Sequence, residues 1–371
     1  MIIGVPKEIK NSEFRVGMVP SGVRVLTDAG HQVLVQESGG LGSGLTDGEY
    51  VRAGAVLLST ALEVYTRAEM IVKVKEPQPE EYPLLRENQI LFTYLHLAPA
   101  PELTQSLIDS RCIGVAYETI QLEDGSLPLL MPMSEVAGRL APQIGAHYLE
   151  NVYGGCGVLL SGVPGVQRGK VTIVGGGVVG TNAAKIAVGL GAEVYILDIN
   201  HQRMAALDDL FGNTVNTVMA THENIASLVS MSYLVIGAVL IPGAKAPALV
   251  TREMVSNMLS GSVIVDVAID QGGCVETSRP TSHQDPVFVV DGVIHYCVAN
   301  IPGMVARTST FALNNVTLPY ALEIANKGIE RAVKENRALA RGINLYKGNI
   351  TCPGVAEPMQ CDSEEILKLV S

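Results

Sequence analysis

Val171-Thr172-Ile173-Val174-Gly175-Gly176-Gly177-Val178-Val179-Gly180 reads as an apolar strand breaking into a glycine turn of the pattern GxGxxG. A helix-forming run, Thr181 to Leu190, follows at once. Strand, glycine turn and helix in that order open a βαβ unit of the dinucleotide-binding kind. Gly175 permits the tight turn, Gly177 lets the backbone approach a pyrophosphate, and Gly180 lets the helix pack close on the strand. Val178 and Val179 lie inside the motif, where the helix N-terminus offers N–H groups and partial positive charge to the phosphates. The next apolar run, Glu193 to Leu197, ends at Asp198, 18 residues beyond Gly180. A carboxylate there accepts both ribose hydroxyls of NAD and repels the extra phosphate of NADP. Arg203 lies about one helical turn further on and is able to tolerate that phosphate, so the choice of NAD rests on Asp198. The competing reading is a glycine turn in an α/β fold that binds nothing, with Asp198 capping the following helix; four positions in the right order weigh against it.

The same grammar runs outward in both directions. Toward the N-terminus, strand-like runs at Gln32 to Gln36, Met70 to Val74, Gln89 to Thr93 and Cys112 to Ala116 alternate with helical patterns at Ser21 to Ala29, Thr60 to Ala68 and Ala100 to Ser110. A long helix over Ser134 to Tyr148 leads into the glycine-rich segment, and further strands are expected at Tyr233 to Ile236, Ser262 to Asp266 and Val293 to Tyr296. From Thr308 a helical stretch runs to about Arg341. Strands alternating with helices predict parallel sheets covered on both faces. The tail after Gly342 is too short for a domain, so the C-terminal helix is expected to pack back on the first third. The fold class is therefore α/β, with two Rossmann-like doubly wound domains. A nucleotide domain over 129–306 is inserted in a discontinuous substrate domain over 1–128 and 307–371.

Composition narrows the function. A length of 371 residues suits two cores, and 47% hydrophobic against 17% charged residues supplies them. So few charges to cover the surface tilt the expectation toward an oligomer. The net charge of −11 provides no basic stripe for nucleic acid and disfavours anionic membranes. No apolar run is long enough to span a bilayer, and the N-terminus lacks the pattern of a signal peptide. Six cysteines without CxxC spacing read as free thiols in a reducing compartment, which points to the cytoplasm. Seven dispersed histidines suggest no metal site.

A dehydrogenase acting on a small acid needs cations for a carboxylate and a group that moves a proton. Candidates stand at the strand ends, where open α/β sheets bind ligands. In Leu91 to Pro99, period two places Tyr94 and His96 on one side, and histidine titrates near neutrality. Lys73 and Lys75 share a face at another strand end, where a solvated rim charge is the plainer reading. Arg15, in the loop after the first strand, offers a planar fork for a carboxylate, although surface arginines are common. Asp270, in the glycine loop after Ser262 to Asp266, is equally a turn-capping residue. Asp266 itself reads as structural.

Together these segments resemble the alanine dehydrogenase/pyridine nucleotide transhydrogenase family over nearly the whole chain. The likeness is carried by Gly4-Val5-Pro6-Lys7-Glu8-Ile9-Lys10 through Arg15-Val16-Gly17, by Val72-Lys73-Val74-Lys75-Glu76-Pro77, and by Leu91 to His96. It continues in Gly175 to Gly180, Val265 to Gly273 and Asn314-Asn315-Val316-Thr317-Leu318-Pro319-Tyr320. The resemblance implies reversible NAD-dependent oxidative deamination of L-alanine to pyruvate and ammonium, by a homo-hexamer with a hinge between its domains. It implies that Arg15 and Lys75, with Tyr94 beside them, hold the substrate, and that His96 and Asp270 handle protons and the amine. Ser134, Asp198, Arg203, Asn300 and the glycine segment with Val178 and Val179 fall to the cofactor. The chain departs from the family pattern at Ala299 and near Ala306, where members usually carry proline, and at Cys156; altered kinetics are the most these imply. Rival readings are a dehydrogenase of a larger amino acid, of the lysine or saccharopine type, a soluble NAD(H)-binding transhydrogenase-like subunit, and a non-catalytic NADH sensor.

Overall fold

Short runs of aliphatic and β-branched residues, apolar on both faces, build two largely parallel sheets covered by helices, the arrangement that strands buried on both sides require. The computed structural model describes residues 1–239 and 247–370. The chain divides into two units, one formed by Met1–Met133 with Gly303–Ser371 and the other by Ser134–Pro302. No helix among the described residues is long and apolar enough to cross a membrane.

The first unit holds an eight-stranded sheet in the order Asn349–Ile350, Ile343–Tyr346, Ile113–Ala116, Ile90–Thr93, Met70–Val72, Ile2–Val5, Gln32–Gln36, Val56–Leu58. The six strands of the first third are parallel to one another. Winding reverses at Ile2–Val5, with the next two strands on one side and the following three on the other. That switch point opens a crevice beyond the carboxyl ends of Ile2–Val5 and Met70–Val72. The second unit repeats the plan in seven strands, ordered Val287–Val290, Val293–Tyr296, Val263–Asp266, Leu234–Gly237, Lys170–Val174, Glu193–Asp198, Val215–Met219. Its reversal lies at Lys170–Val174, directly before the glycine turn. The expected fold class, two doubly wound domains with largely parallel sheets, is the one observed.

Local causes are visible. Helix Ala61–Arg67 opens with a capping box, the Thr60 hydroxyl accepting from the Glu63 N–H and the Glu63 carboxylate accepting from the Thr60 N–H. Its Val64 and Tyr65 are buried in one core with Ile71, Leu91 and Leu107. Each fully buried aliphatic chain of this kind contributes about 1.5–3 kcal/mol.

The structure differs from the expectations in four places. The helix after the glycine turn begins at Val178, inside the motif, because Gly177 serves as its N-cap. The long helix expected from Thr308 to Arg341 is three helices, Ala306–Lys327, Ile329–Glu335 and Arg337–Gly342. Gly328 breaks the first at φ +74°, and the Asn336 side chain caps the third by accepting from the Leu339 N–H at 3.1 Å. The tail after Gly342 adds two antiparallel strands to the edge of the first sheet. Edge strands Val56–Leu58, Val215–Met219 and Val287–Val290 had no strand-like signal, since exposed edges dilute the apolar run.

Candidate active site

Three cationic or titratable side chains of the first unit follow the carboxyl ends of three of its parallel strands, and a glutamate anchors each. Arg15, in the loop after Ile2–Val5, is buried at 2% exposure. Glu13 grips it bidentately, accepting from Nε at 2.7 Å and from a terminal guanidinium nitrogen at 2.5 Å, and also accepts from the Arg15 N–H at 3.0 Å. A second terminal nitrogen donates to the Met133 sulfur at 3.1 Å, a weak acceptor. Burial pushes the Glu13 carboxyl up, but the hydrogen bonds and charge of Arg15 outweigh it and hold the group at about 2.

Lys75 follows Met70–Val72. Glu8 accepts from the Val74 N–H at 2.6 Å and the Lys75 N–H at 3.3 Å, so one carboxylate oxygen fixes the backbone that carries this lysine. Burial draws the Lys75 ammonium below its ordinary pKa, and the charges of Arg15 and Lys10 add to that. Among the described residues the ammonium has neither a hydrogen-bond nor an ion-pair partner. Lys73 is no solvated rim charge. It is fully buried, ion-paired with Glu8 at 3.2 Å and Glu81 at 2.8 Å.

His96 follows Ile90–Thr93 in a left-handed turn, φ +47°. Its ring stacks on Tyr94 with centroids 5.8 Å apart and planes 4° from parallel, and Tyr94 is wedged edge-on against Tyr117 at 5.1 Å. Period two thus brought Tyr94 and His96 together as expected. The buried Tyr94 hydroxyl donates to the Leu129 carbonyl at 2.6 Å, so the ring orients its neighbours. Glu118 accepts the His96 N–H at 2.6 Å. Arg15 acts electrostatically on both Lys75 and Tyr94, and the His96 ring stacks on Tyr94, a set of side chains able to hold a small carboxylate and move a proton.

In the second unit the glycine turn has the geometry its motif demands. Gly175 has φ +104°. A Cβ on Gly177 would meet nothing within 4 Å, whereas one on Gly180 would overlap the Gly175 carbonyl oxygen. Gly177 therefore leaves an open cradle beside the first turn of helix Val178–Gly189, whose leading N–H groups have no acceptor within the helix. Val178 is exposed there and Val179 buried. Asp198, ending Glu193–Asp198, accepts from the Gly176 N–H at 2.7 Å and the Asn200 N–H at 2.8 Å. Each carboxylate oxygen keeps acceptor capacity for a hydroxyl. These residues fit a dinucleotide. Arg203 departs from its expected part: Nε donates to the Gly176 carbonyl at 2.6 Å and a terminal nitrogen to the Thr181 hydroxyl. It clamps the glycine turn and is committed before any phosphate arrives.

Asp270 is exposed at the end of the turn Val267–Gln271, without a hydrogen bond or ion pair among the described residues. It does not cap that turn; Asp266 does, accepting from the N–H groups of Ala268, Cys274 and Val275 at 3.1–3.2 Å. Ser134 is half-buried in helix Met131–Tyr148, and Asn300 adopts φ +61° before the turn Ile301–Val305. The sequence reading passed over Glu8, Glu13 and Glu118, although the spacing Glu13-x-Arg15 was a visible hint.

Comparisons with known proteins place the whole chain in one family. The model described as alanine dehydrogenase/PNT, N-terminal domain, matches residues 4–137, and the one for the C-terminal domain matches residues 141–353. The chain is 62% identical to an alanine dehydrogenase of Methanococcus maripaludis, covering 96% of each chain. It is 56% identical to alanine dehydrogenase 2 of Staphylococcus aureus, covering 99% of this chain and 98% of that one. A solved L-alanine dehydrogenase superposes with a TM-score of 0.95 at 54% identity, covering 97% of this chain and 99% of that one. A solved transhydrogenase from Sinorhizobium meliloti superposes at 0.81 with 26% identity, covering 95% of this chain and 99% of that one.

Proposed function

The chain belongs to the alanine dehydrogenase/PNT family, and on that premise we propose that it is an NAD-dependent L-alanine dehydrogenase converting L-alanine reversibly to pyruvate and ammonium. The observation that carries this reading is the pair of cations, the buried Arg15 oriented by Glu13 and the half-buried Lys75 without a partner among the described residues, in one unit with the His96 ring.

The first unit serves as the substrate domain and the second as the nucleotide domain. The substrate carboxylate binds Arg15, displacing the weak Met133 sulfur acceptor, and gains the Lys75 ammonium as a second cation. Lys75 resists burial as a cation, so a bound carboxylate relieves the cost that draws its pKa down. When bound, NAD would supply the hydride acceptor for oxidation of the substrate α-carbon. Gly177, the leading N–H groups of Val178 and Val179, and Asp198 hold it, with Ser134 and Asn300 adding contacts. His96 takes the proton of the water that adds to the resulting imine and returns it to the nitrogen as ammonium departs. The free state of all six cysteines suits a reducing cytoplasm. Exposed apolar side chains at Val152, Leu159 and Val166 supply surface for a homo-hexamer, and light scattering at the mass of six chains is the expected result.

The test is NADH formation by the purified chain with NAD and L-alanine, L-serine, L-lysine or L-glutamate in turn, with NADP controls. Rapid turnover with alanine and NAD is expected, and His96→Ala should lose most of it while binding NADH normally. Turnover with lysine alone would replace this reading by a dehydrogenase of a larger amino acid. NADH binding without turnover on any substrate would replace it by a transhydrogenase-like binding subunit.

A further inference from the structure

The turn that presents His96 is an unfavourable one for a residue with a side chain. At φ +47° the backbone lies in the left-handed region, where a Cβ crowds the following carbonyl. The sheet does not hold it there, because the ladder with Ile113–Ala116 ends at Thr93, paired with Ala116. The neighbouring strand supplies the hold. Directly after Ala116 the short turn Tyr117–Thr119 carries Glu118. Its Oε1 accepts the His96 N–H at 2.6 Å and the Leu95 N–H at 3.2 Å, and its Oε2 is also 3.2 Å from the Leu95 nitrogen. The same Oε1 is 3.8 Å from His96 Nδ1. Leu95 is fully buried, which fixes the near side of the turn, whereas the His96 side chain is 47% exposed and, among the described residues, no other accepts its N–H.

We propose that Glu118 is a positioning residue for the reaction: one carboxylate oxygen, taking two consecutive N–H groups, holds the left-handed turn that delivers the His96 ring to the substrate. This rests on the acid/base role given to His96. Without the acceptor the turn relaxes toward negative φ, and the ring leaves the Tyr94 face on which it is stacked. The function belongs to the oxygen's reach more than to its charge, since a neutral amide oxygen accepts the same two donors.

Two substitutions separate reach from charge. Glu118→Gln keeps an acceptor at the same distance, and Glu118→Asp keeps the charge one methylene short. Turnover, KM for L-alanine, NADH affinity and amide hydrogen exchange at His96 are measured for both, alone and combined with His96→Ala. E118Q should stay within about threefold of the parent turnover. E118D should lose about tenfold or more in kcat, the scale of a misplaced catalytic group, with KM and NADH affinity within about twofold and faster exchange at the His96 amide. In the His96→Ala background E118D should cost nothing further, because Glu118 acts only through that ring. Parent turnover in E118D, equal loss in E118Q and E118D, or additive losses with His96→Ala would each overturn the proposal. Parent turnover in His96→Ala alone would remove it together with the His96 assignment, a result distinct from a failure of the clamp.

Discussion

Arg15 and Glu13 are 2% and 6% exposed, so neither charge is tolerable without the other. Glu13 is held at about 2 against an ordinary 4.5. A carboxyl depressed in the folded state stabilises the fold above its unfolded pKa, and that contribution disappears as pH falls through the folded pKa. A shift of this size corresponds to about 3 kcal/mol. Glu13→Gln should therefore lower the unfolding free energy by about that amount at pH 7, with the difference shrinking to a small remainder near pH 2, read from urea midpoints. Lys75 gives a second dependence, of opposite sense. Its pKa is lowered by burial and by Arg15 and Lys10, so it loses charge at a pH below that of an ordinary lysine. KM for pyruvate, which does not itself titrate there, should rise as pH climbs through that value. Lys75→Arg, which stays charged, should remove the rise. Arg15, Lys75 and His96 were legible in the sequence because their residue types follow apolar runs. Glu8 and Glu118 were not, because a glutamate that accepts an N–H from a distant strand reads like one that faces water; Glu13 left only its spacing from Arg15.

At the level of elements, the glycine turn separates folding from binding. A methyl at Gly180 overlaps the Gly175 carbonyl, while one at Gly177 meets nothing. Gly180→Ala should cost about 1–3 kcal/mol or more, as overpacking does, and lower the thermal midpoint visibly. Gly177→Ala should melt close to the parent yet bind NADH at least about tenfold more weakly, since its methyl occupies the pyrophosphate's approach; fluorescence titration checks this. The three helices from Ala306 to Gly342 show how local chemistry overrides periodicity. Apolar spacing runs through Gly328 and Asn336, but one supplies φ +74° and the other a cap. Ala306 is the first residue of its helix, a position where proline sacrifices no hydrogen bond. Its presence in place of proline leaves the backbone bonding there intact.

Across the whole molecule, the second unit is one uninterrupted segment with its own seven-stranded sheet, while the first is assembled from both ends of the chain. Residues 134–302 expressed alone should fold cooperatively and bind NADH, with no turnover of L-alanine, because Arg15, Lys75 and His96 all belong to the other unit. Retained turnover by that segment would place the chemistry elsewhere. The first unit should not fold from residues 1–133 alone. Its sheet edge, Ile343–Tyr346 beside Ile113–Ala116, and the helix from Ala306 come from the far end of the sequence.

The sequence by itself determined the doubly wound class, the glycine turn with Asp198, and the residue types at the strand ends. Each follows from local order along the chain: apolar period, glycine placement, a fixed spacing. Tertiary structure alone decided what those residues are held by. It buried Lys73 between Glu8 and Glu81, turned Arg203 back onto the glycine turn, and gave Arg15, Lys75 and His96 a glutamate each. Those partners lie 2 to 67 residues away along the chain. The meeting of Lys75 and His96 with theirs depends on which strands lie side by side, and strand order leaves no local mark in the sequence.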